Sequence, residues 1–400
     1  MELIGRQICY HEPDETCAAY ENVYYVSASG TDMIRIRSLE IRDDIYDHCT
    51  VSRSTDNGQT WSAPEPYQVS WKKEGGVERR SFGSPFVDPD NGLLLVFASN
   101  SFHPTDHMLE AQTTAYQTYR VSEDGGKTWI VDEQIIQTVG EGEYTAKHPI
   151  DGLWVGKNAI HLSNYPCRAS NGKLIVPMQM NRIGPDGRLF CPPGALSFHD
   201  VVILIGTWRD DGRVDWELSQ RIENPPHLST RGAIEAATTE MPDGRMLMVL
   251  RGSNAGNLDL PGRKWYCVSE DMGHTWTKPE PWSYTDGSLF YSPSSFSSIL
   301  RHSNGKYYWI GNICPSNPTG NRPRYPVVIG EVDPVSMLLI KDTLTTIDTR
   351  QKSDDHEPLM GNWGNYEERG TGHIVMRMTR LWVAKGGVMR GHSYLYRLRP

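Results

Sequence analysis

Three copies of one eight-residue pattern, S-x-D-x-G-x-T-W, constrain this chain more than any other feature, at residues 54–61, 122–129 and 269–276. Each copy follows a short run of β-forming residues. In a turn of this kind the aspartate accepts hydrogen bonds from backbone amides, the glycine adopts a positive φ and the tryptophan folds back to pack. A fourth, degenerate copy covers residues 209–216. The pattern predicts repeated β-hairpins in which these aspartates have a structural role.

A second repeat lies between these copies and consists of an apolar strand, a turn containing glycine and another apolar strand. The turn glycines are spaced by 61 to 80 residues: Gly30, Gly92, Gly172, Gly244, Gly305 and Gly372. Six units of this period predict an all-β fold, a six-bladed β-propeller of four-stranded blades with the eight-residue pattern in hairpins. We expect residues 393–398 to form the third strand of the last blade and residues 6–10 its fourth, which closes the ring. Since no linker interrupts the repeats, we predict one domain over residues 1–400.

Composition narrows the class of protein. The net charge is −9, which argues against nucleic acid or an anionic membrane as a general partner. The seven cysteines are odd in number and form no CxxC or Cys/His metal pattern, so we expect reduced thiols, no metal and no cofactor. The sequence shows neither an apolar leader nor an apolar run of about 18 residues. We therefore expect a cytoplasmic protein as given, or a secreted or periplasmic one if a signal peptide has been removed.

Polar residues recur where the innermost strands of a propeller open onto its channel. Seven residues after each turn glycine, where the second strand ends, stand Arg37, Ser99, Gln179, Arg251, Asn312 and Thr379, and Arg380 follows the last of them. Nine residues before each glycine, where the first strand begins, stand Glu21, Gly83, Ser163, Glu235, Phe296 and Trp363. Strand ends are often polar for structural reasons alone. Converging arginines, however, favour a site for a carboxylate, which the planar guanidinium binds at two points.

The eight-residue boxes and the blade pattern resemble the sialidase superfamily over nearly the whole chain. The segment from Glu235 to Arg251 also resembles the sialidase sequence E-x4-E-(M/L)-P-(N/D)-G-x6-R, with the same spacing. In that family the first glutamate activates a tyrosine nucleophile and the arginine holds the substrate carboxylate. The resemblance implies these roles for Glu235 and Arg251, although an ordinary hairpin also carries such a sequence.

Other parts of the sialidase pattern match less closely. The resemblance implies a catalytic acid in the loop that holds Asp43, Asp44 and Asp47, and a third substrate-binding arginine at Arg322 or Arg324. The loop that holds Asp43, Asp44 and Asp47 is equally typical of a solvated surface loop without a catalytic role.

Two departures from the family affect the mechanism that the resemblance implies. The family's Arg-Ile-Pro motif opens the first strand of the first blade. The similar residues here, 35–39, follow the turn glycine and so belong to the second strand, which leaves the first strand without a counterpart. The expected position of the tyrosine nucleophile holds Trp363, and Tyr366 comes three residues later.

The loop of residues 101–107 indicates a second chemistry, because it places His103 near the predicted channel mouth. A lyase that cuts next to a uronic acid needs a cation for the carboxylate and a histidine or tyrosine to move a proton. His103 with Arg251 and either Tyr165 or Tyr366 fits that requirement and resembles the propeller-fold rhamnose–glucuronate lyases. A histidine in a surface loop is otherwise unremarkable.

These observations leave three functions open. The first is an exo-acting, sialidase-like glycoside hydrolase that acts on a carboxylated sugar at a glycan terminus, with an acidic oligosaccharide or polysaccharide as its partner. The second is a polysaccharide lyase of the rhamnose–glucuronate type. The third is a propeller that binds glycans without catalysis.

Overall fold

The computed structural model describes residues 1–11, 16–42, 45, 48–81, 83–138 and 149–400. Within these ranges the protein is all-β. It forms 27 strands, two short 3₁₀ turns and one four-residue helix, Ala111–Thr114. Alternating or continuous apolar residues account for the strands, for example the fully buried run of Met246–Arg251. None of the described residues builds a helix long and apolar enough to span a membrane.

The two ends of the chain share one eight-stranded sheet. Its strands are β1 (Glu2–Tyr10), β2 (Ala18–Tyr25), β3 (Met33–Glu40), β4 (His48–Ser54), β5 (Glu65–Tyr67), β25 (Trp363–Glu367), β26 (Ile374–Val383) and β27 (Met389–Arg399). Strands β2 to β5 form one antiparallel run, here called the first unit. Strands β25, β26, β27 and β1 form another, here called the last unit, and a parallel bridge between Ala18 and Gly391 joins the two. The strand nearest the N-terminus thus pairs with the one nearest the C-terminus, from Glu2 opposite Arg399 to Tyr10 opposite Ser393.

Four further antiparallel sheets follow in chain order. The second sheet contains β6 (Ser70–Lys73), β7 (Gly76–Arg80), β8 (Ser84–Val87), β9 (Leu94–His103), β10 (Tyr116–Ser122) and β11 (Val131–Gln134). The third contains β12 (Ile160–Leu162), β13 (Cys167–Arg168), β14 (Leu174–Asn181), β15 (His199–Trp208) and β16 (Val214–Leu218). The fourth contains β17 (Ile234–Glu240), β18 (Met246–Arg251), β19 (Lys264–Ser269) and β20 (Glu280–Pro281). The fifth contains β21 (Ser298–Arg301), β22 (Tyr307–Asn312), β23 (Val327–Val332) and β24 (Thr345–Asp348).

The eight-residue boxes connect β4 to β5, β10 to β11 and β19 to β20. In the third box, Asp271 accepts hydrogen bonds from the amide of Thr275 at 2.8 Å and from its hydroxyl at 2.6 Å. Gly273 has a φ of 94°, and the indole N–H of Trp276 donates to the carbonyl oxygen of Gly273 at 2.9 Å. The other two boxes repeat the aspartate-to-threonine bonds. Each box is therefore a self-contained turn that fixes the outermost strand of its sheet.

Apolar clusters fill the spaces between sheets that follow each other in the chain. They join the first unit to the second sheet, the second to the third, the third to the fourth, the fourth to the fifth, and the fifth to the last unit. Between the first and last units the corresponding cluster is small, with Ala18, Leu381 and Met389 as its buried members. The core is thus distributed over the spaces between sheets.

Candidate functional site

One cavity of about 220 Å³ lies where the innermost strands begin. Its lining includes five of the six residues that stand nine positions before the turn glycines, namely Glu21, Gly83, Ser163, Phe296 and Trp363. The ring of Trp363 packs edge-on against Phe296, with centroids 5.4 Å apart, and Tyr165 donates its hydroxyl to the carbonyl oxygen of Trp363 at 3.1 Å. We call this space the channel cavity. Equivalent positions of separate sheets therefore meet around one partly aromatic space.

The sixth residue of that series, Glu235, sits in a strained bulge. Its φ is 46°, a left-handed conformation that few residues other than glycine adopt. The strand pairing slips between Ile234 and Ala237. Two side chains of the neighbouring sheet hold the bulge, because Gln179 accepts the amide of Glu235 at 3.0 Å and Ser163 accepts the amide of Ala236 at 2.7 Å. Strain held in place by surrounding contacts is typical of functional positions.

The carboxylate of Glu235 forms an ion pair with Arg251. Oε1 lies 2.5 Å from Nη1 of Arg251, while Oε2 is buried and accepts no hydrogen bond from the described residues. The side chain keeps 23% of its exposure. Burial alone would raise the pKa of Glu235, but the charge and hydrogen bond of Arg251, with the charges of Arg324 and Lys264, hold that pKa below its usual value. Glu235 is therefore ionised at neutral pH.

Two more cations lie beside this pair. Arg251 donates through Nε to the hydroxyl of Ser294 at 2.9 Å, and Arg324 donates to the carbonyl oxygen of the same serine at 3.4 Å. Lys264 is opposite Arg251 in the strand pairing, fully buried, and donates to the carbonyl oxygen of Ser295. Its burial, then the charge of Arg251, lower the pKa of Lys264 to about 7. Glu235, Arg251, Lys264 and Arg324 form what we call the Glu235 cluster, which combines one carboxylate with three basic side chains.

Arg37 belongs to a different group. Its Nε and Nη2 atoms donate to Oε1 of Glu21 at 3.0 and 2.6 Å, and its guanidinium lies 3.7 Å from the centre of the Tyr10 ring. Arg35 and Arg377 approach the same carboxylate at 3.7 and 2.5 Å. We call Glu21 with these three arginines the Glu21 cluster. The contacts of Arg37 are therefore with Glu21 of the first unit and Tyr10 of the last unit, and not with Arg251.

The remaining predicted binding residues are dispersed, apart from Gln179, which holds the amide of Glu235. Arg322 is exposed and pairs with Glu357 at 2.8 Å. Arg380 is buried between Asp348 and Asp354, each at 2.6 Å. Asn312 is buried and donates to the carbonyl oxygens of Pro326 at 3.3 Å and Met360 at 3.2 Å.

The predicted catalytic residues other than Glu235 do not contact its cluster where the structure describes them. Tyr366 lines a second cavity and packs edge-on against Tyr25 at 5.7 Å, and its burial raises the pKa of its hydroxyl to about 12. The ring of His103 is buried, with Nε2 2.7 Å from the hydroxyl of Ser101 and Nδ1 3.0 Å from the carbonyl oxygen of His107. Asp44 and Asp47 lie outside the described residues.

The profile of the BNR repeat-like domain matches residues 77–337, which is more than half of the chain, and that of the BNR/Asp-box repeat matches residues 52–63. The chain belongs to the BNR-repeat, sialidase-like superfamily.

Solved structures extend this likeness to the fold of the BNR-repeat proteins. A protein of unknown function from Dyadobacter fermentans is 15% identical, with a TM-score of 0.63, over 100% of this chain and 99% of that one. The Hadza microbial sialidase Hz136 is 14% identical, with a TM-score of 0.62, over 98% of this chain and 68% of that one. The intramolecular trans-sialidase from Ruminococcus gnavus is 13% identical, with a TM-score of 0.61, over 100% of this chain and 98% of that one. At such identities the likeness shows a sialidase-like fold alone. No curated protein sequence matches this chain.

Three residues of the Glu235 and Glu21 clusters and their contacts were not predicted from the sequence: Lys264, Ser294 and Arg377. Lys264 opens an otherwise apolar third strand, and that break in hydrophobicity was a usable signal. Ser294 contributes through a loop, and Arg377 contacts Glu21 from the other end of the chain. No local pattern indicates such contacts. Among the described residues, no group of three or more His, Cys, Asp or Glu is placed to hold a metal ion.

Proposed function

We propose that this protein is a six-bladed β-propeller enzyme that hydrolyses the glycosidic bond of a carboxylated sugar at a glycan terminus. The observation that carries the proposal is the Glu235–Arg251 ion pair, held in a strained bulge beside Arg324 and Lys264. Six antiparallel β units, five of whose spaces are filled by apolar clusters, support the six blades. The proposed partner is an acidic oligosaccharide or polysaccharide.

Substrate binding in this proposal uses the excess of positive charge in the Glu235 cluster. Arg251 and Arg324 meet at Ser294, so one carboxylate placed there can accept from both guanidinium groups. Lys264 adds charge from behind when it is protonated. As the substrate carboxylate takes up part of the positive charge of Arg251, the pKa of Glu235 rises, which makes it a stronger base.

Catalysis in this proposal does not use a tyrosine nucleophile. Trp363 holds the position where the sialidase pattern requires that tyrosine, and Tyr366 packs against Tyr25 and lines the second cavity. We therefore propose that Glu235 takes a proton from a water molecule, which attacks the anomeric carbon while a carboxylic acid of the loop that contains Asp44 and Asp47 protonates the leaving oxygen. One displacement of this kind inverts the anomeric configuration.

The test is a panel of acidic oligosaccharides analysed by mass spectrometry, with NMR of the first product. We expect the combined mass of the products to exceed that of the substrate by one water, and the first product to have an inverted anomeric centre. We expect the Tyr366→Phe variant to keep the wild-type turnover within about twofold. A retained configuration would show a double displacement in place of the single one. A loss of about 100-fold or more in the Tyr366→Phe variant would place that tyrosine back in the mechanism. Cleavage without added water, with an ultraviolet-absorbing product, would instead identify a lyase.

A glycan-binding propeller without catalysis is the second candidate. The observation that favours it is the pairing of Trp363 with Phe296, which gives the channel cavity aromatic faces in place of a nucleophile. Saturable binding of an acidic glycan with no product after prolonged incubation would establish this alternative. The contacts of His103, which join it to its own loop, give no comparable support to the lyase.

A further inference from the structure

The space between the first and last units differs from the other spaces between sheets. Apolar clusters fill five such spaces. Between the first and last units the apolar cluster is small, and the structure also has the Glu21 cluster and a groove of about 680 Å³. We call this space the terminal groove. The terminal groove thus replaces most of the apolar contact that joins the other neighbouring units.

Basic side chains from both units line the terminal groove. Arg35 comes from the first unit. Arg377 and Arg397 come from strands of the last unit, and His373 comes from the turn between β25 and β26 of the same unit. Trp61, from the first eight-residue box, forms part of the same wall, and the guanidinium of Arg35 lies 4.5 Å from the centre of its ring. The groove thus combines several guanidinium groups with one aromatic face.

Positive charge exceeds negative charge around the terminal groove. Two carboxylates, Glu21 and Glu368, serve the four arginines Arg35, Arg37, Arg377 and Arg397, which leaves a surplus of two positive charges among these described side chains. Burial, together with the neighbouring charges of Arg37 and Arg377, lowers the pKa of Arg35 even though Glu21 opposes that effect. Burial and these neighbouring charges together therefore outweigh the support that Glu21 gives to the charge of Arg35.

Hydrogen-bonding groups around the groove are also unused. The side chain of Arg377 is only 6% exposed, yet its Nε–H has no acceptor among the described residues, and the same is true of Nε of Arg397. Nδ1 of His373 is buried and lies 3.8 Å from Oε2 of Glu368, too far for a hydrogen bond. A buried donor without an acceptor is destabilising, so several at one groove indicate a missing acceptor.

We propose that the terminal groove binds an oxyanion, a phosphate or sulfate group that is either free or carried on a sugar. Such a group offers several acceptor oxygens to guanidinium forks that approach from different strands. The volume leaves room beside Trp61 for a sugar ring stacked on the indole. Because the ligand contacts both units, it joins the two ends of the chain, and binding raises the resistance of the fold to unfolding. This site does not depend on the proposed hydrolase activity.

The experiment measures calorimetric binding and thermal unfolding of the full chain with inorganic phosphate, inorganic sulfate, glucose 6-phosphate and N-acetylglucosamine 6-sulfate. Sodium chloride at matched ionic strength is the reference. We expect saturable binding and a rise in the unfolding temperature with at least one oxyanion. Tighter binding of the two sugar esters would identify a sugar-borne group, whereas equal binding of the inorganic ions would identify a free anion.

Arg397→Gln is the test variant and Arg399→Gln the matched control. Both remove one arginine charge from β27, but Arg399 is 60% exposed and pairs with Glu2 outside the groove. We expect about a tenfold or greater loss of affinity in the first variant and none in the second. Should Arg397→Gln fail to fold, Arg397→Lys keeps the charge, loses the fork and is expected to bind severalfold more weakly. The proposal would be overturned if Arg397→Gln bound as tightly as the wild type, or if Arg397→Lys did so where only that variant folds. A rise in unfolding temperature no larger than that with chloride would also overturn it.

Discussion

Glu235 is held in a left-handed backbone conformation by contacts from a neighbouring sheet, while Arg251 keeps its side chain charged. Replacement by glutamine keeps the shape and removes the charge. We expect Glu235→Gln to lower kcat by at least about 100-fold, the lower range for a lost general base. The circular dichroism spectrum should be unchanged, and the unfolding temperature should fall because Arg251 loses its buried partner. The matched control is Glu357→Gln, which removes an equivalent carboxylate from the exposed pair with Arg322. Full activity of Glu235→Gln on a substrate of the wild type would contradict the proposed mechanism.

Lys264 has the opposite effect on stability, because a fully buried ammonium group beside Arg251 is destabilising. Its pKa is about 7 in the folded protein and about 10.5 when exposed, so between these values the unfolded chain binds more protons. The stability of the wild type therefore rises with pH across that window. We expect Lys264→Met to be the more stable protein at pH 7, with an advantage that shrinks toward pH 10. Urea unfolding of both proteins at several pH values checks this, and parallel stability curves would contradict it.

Sequence predicts residues of this site when their contacts are local. Glu235 and Arg251 lie on paired strands at a fixed spacing, so one motif located both. The same spacing also selected Arg37 and, as the neighbour of Thr379, Arg380. Their carboxylate partners, Glu21 for Arg37 and Asp348 with Asp354 for Arg380, turn them to other interfaces. Counting along a strand gives the position of a residue at the mouth. It does not give the charges that neighbouring sheets bring to that residue, and these decide where a long side chain points.

The eight-residue boxes are the element whose structure sequence predicts best, because every hydrogen bond that defines them lies within the box. Asp271 accepts from Thr275 and Ser269, bonds that lower its pKa although burial works in the other direction. The stability it contributes is therefore present above its unfolded pKa of about 3.8 and is lost as the pH falls through the folded value.

We expect Asp271→Asn to lower stability at pH 7 by roughly 1 kcal/mol, a modest amount because water screens these partly exposed bonds. The difference from the wild type should shrink as the pH falls below about 3.8, and turnover should stay unchanged. Asp259→Asn, in an exposed loop of the same sheet, is the control for loss of charge. Thermal unfolding at pH 7 and pH 2 measures both effects, and equal losses in the two variants would show that the box bonds are not responsible.

At the scale of the whole molecule, periodicity predicts repeated β units but says little about the spaces between them. The turn glycines fix six strand pairs, and the structure has an antiparallel pair around each. The polar character of the terminal groove could not be predicted in this way, since its charges come from residues more than 300 positions apart, such as Glu21 and Arg377. A repeat describes what the units share, whereas the space between the first and last units depends on where they differ.

Strand β1 joins the N-terminal end of the chain to its C-terminal strand. It pairs with β27 along its whole length, beside Tyr396 and Leu398, which are fully buried. Tyr10 supports Arg37, and Cys9 donates to Glu21, so β1 also stabilises the Glu21 cluster.

Removal of residues 1–10 would expose the hydrogen-bonding edge of β27 and uncover apolar side chains, a combination that favours aggregation. We expect the shortened chain to unfold at a clearly lower temperature and to aggregate. A synthetic peptide of residues 1–10, added in trans, should restore part of the loss, whereas a peptide of the same composition in scrambled order should not. An unchanged unfolding temperature after the deletion would show that the first and last units hold together without this strand.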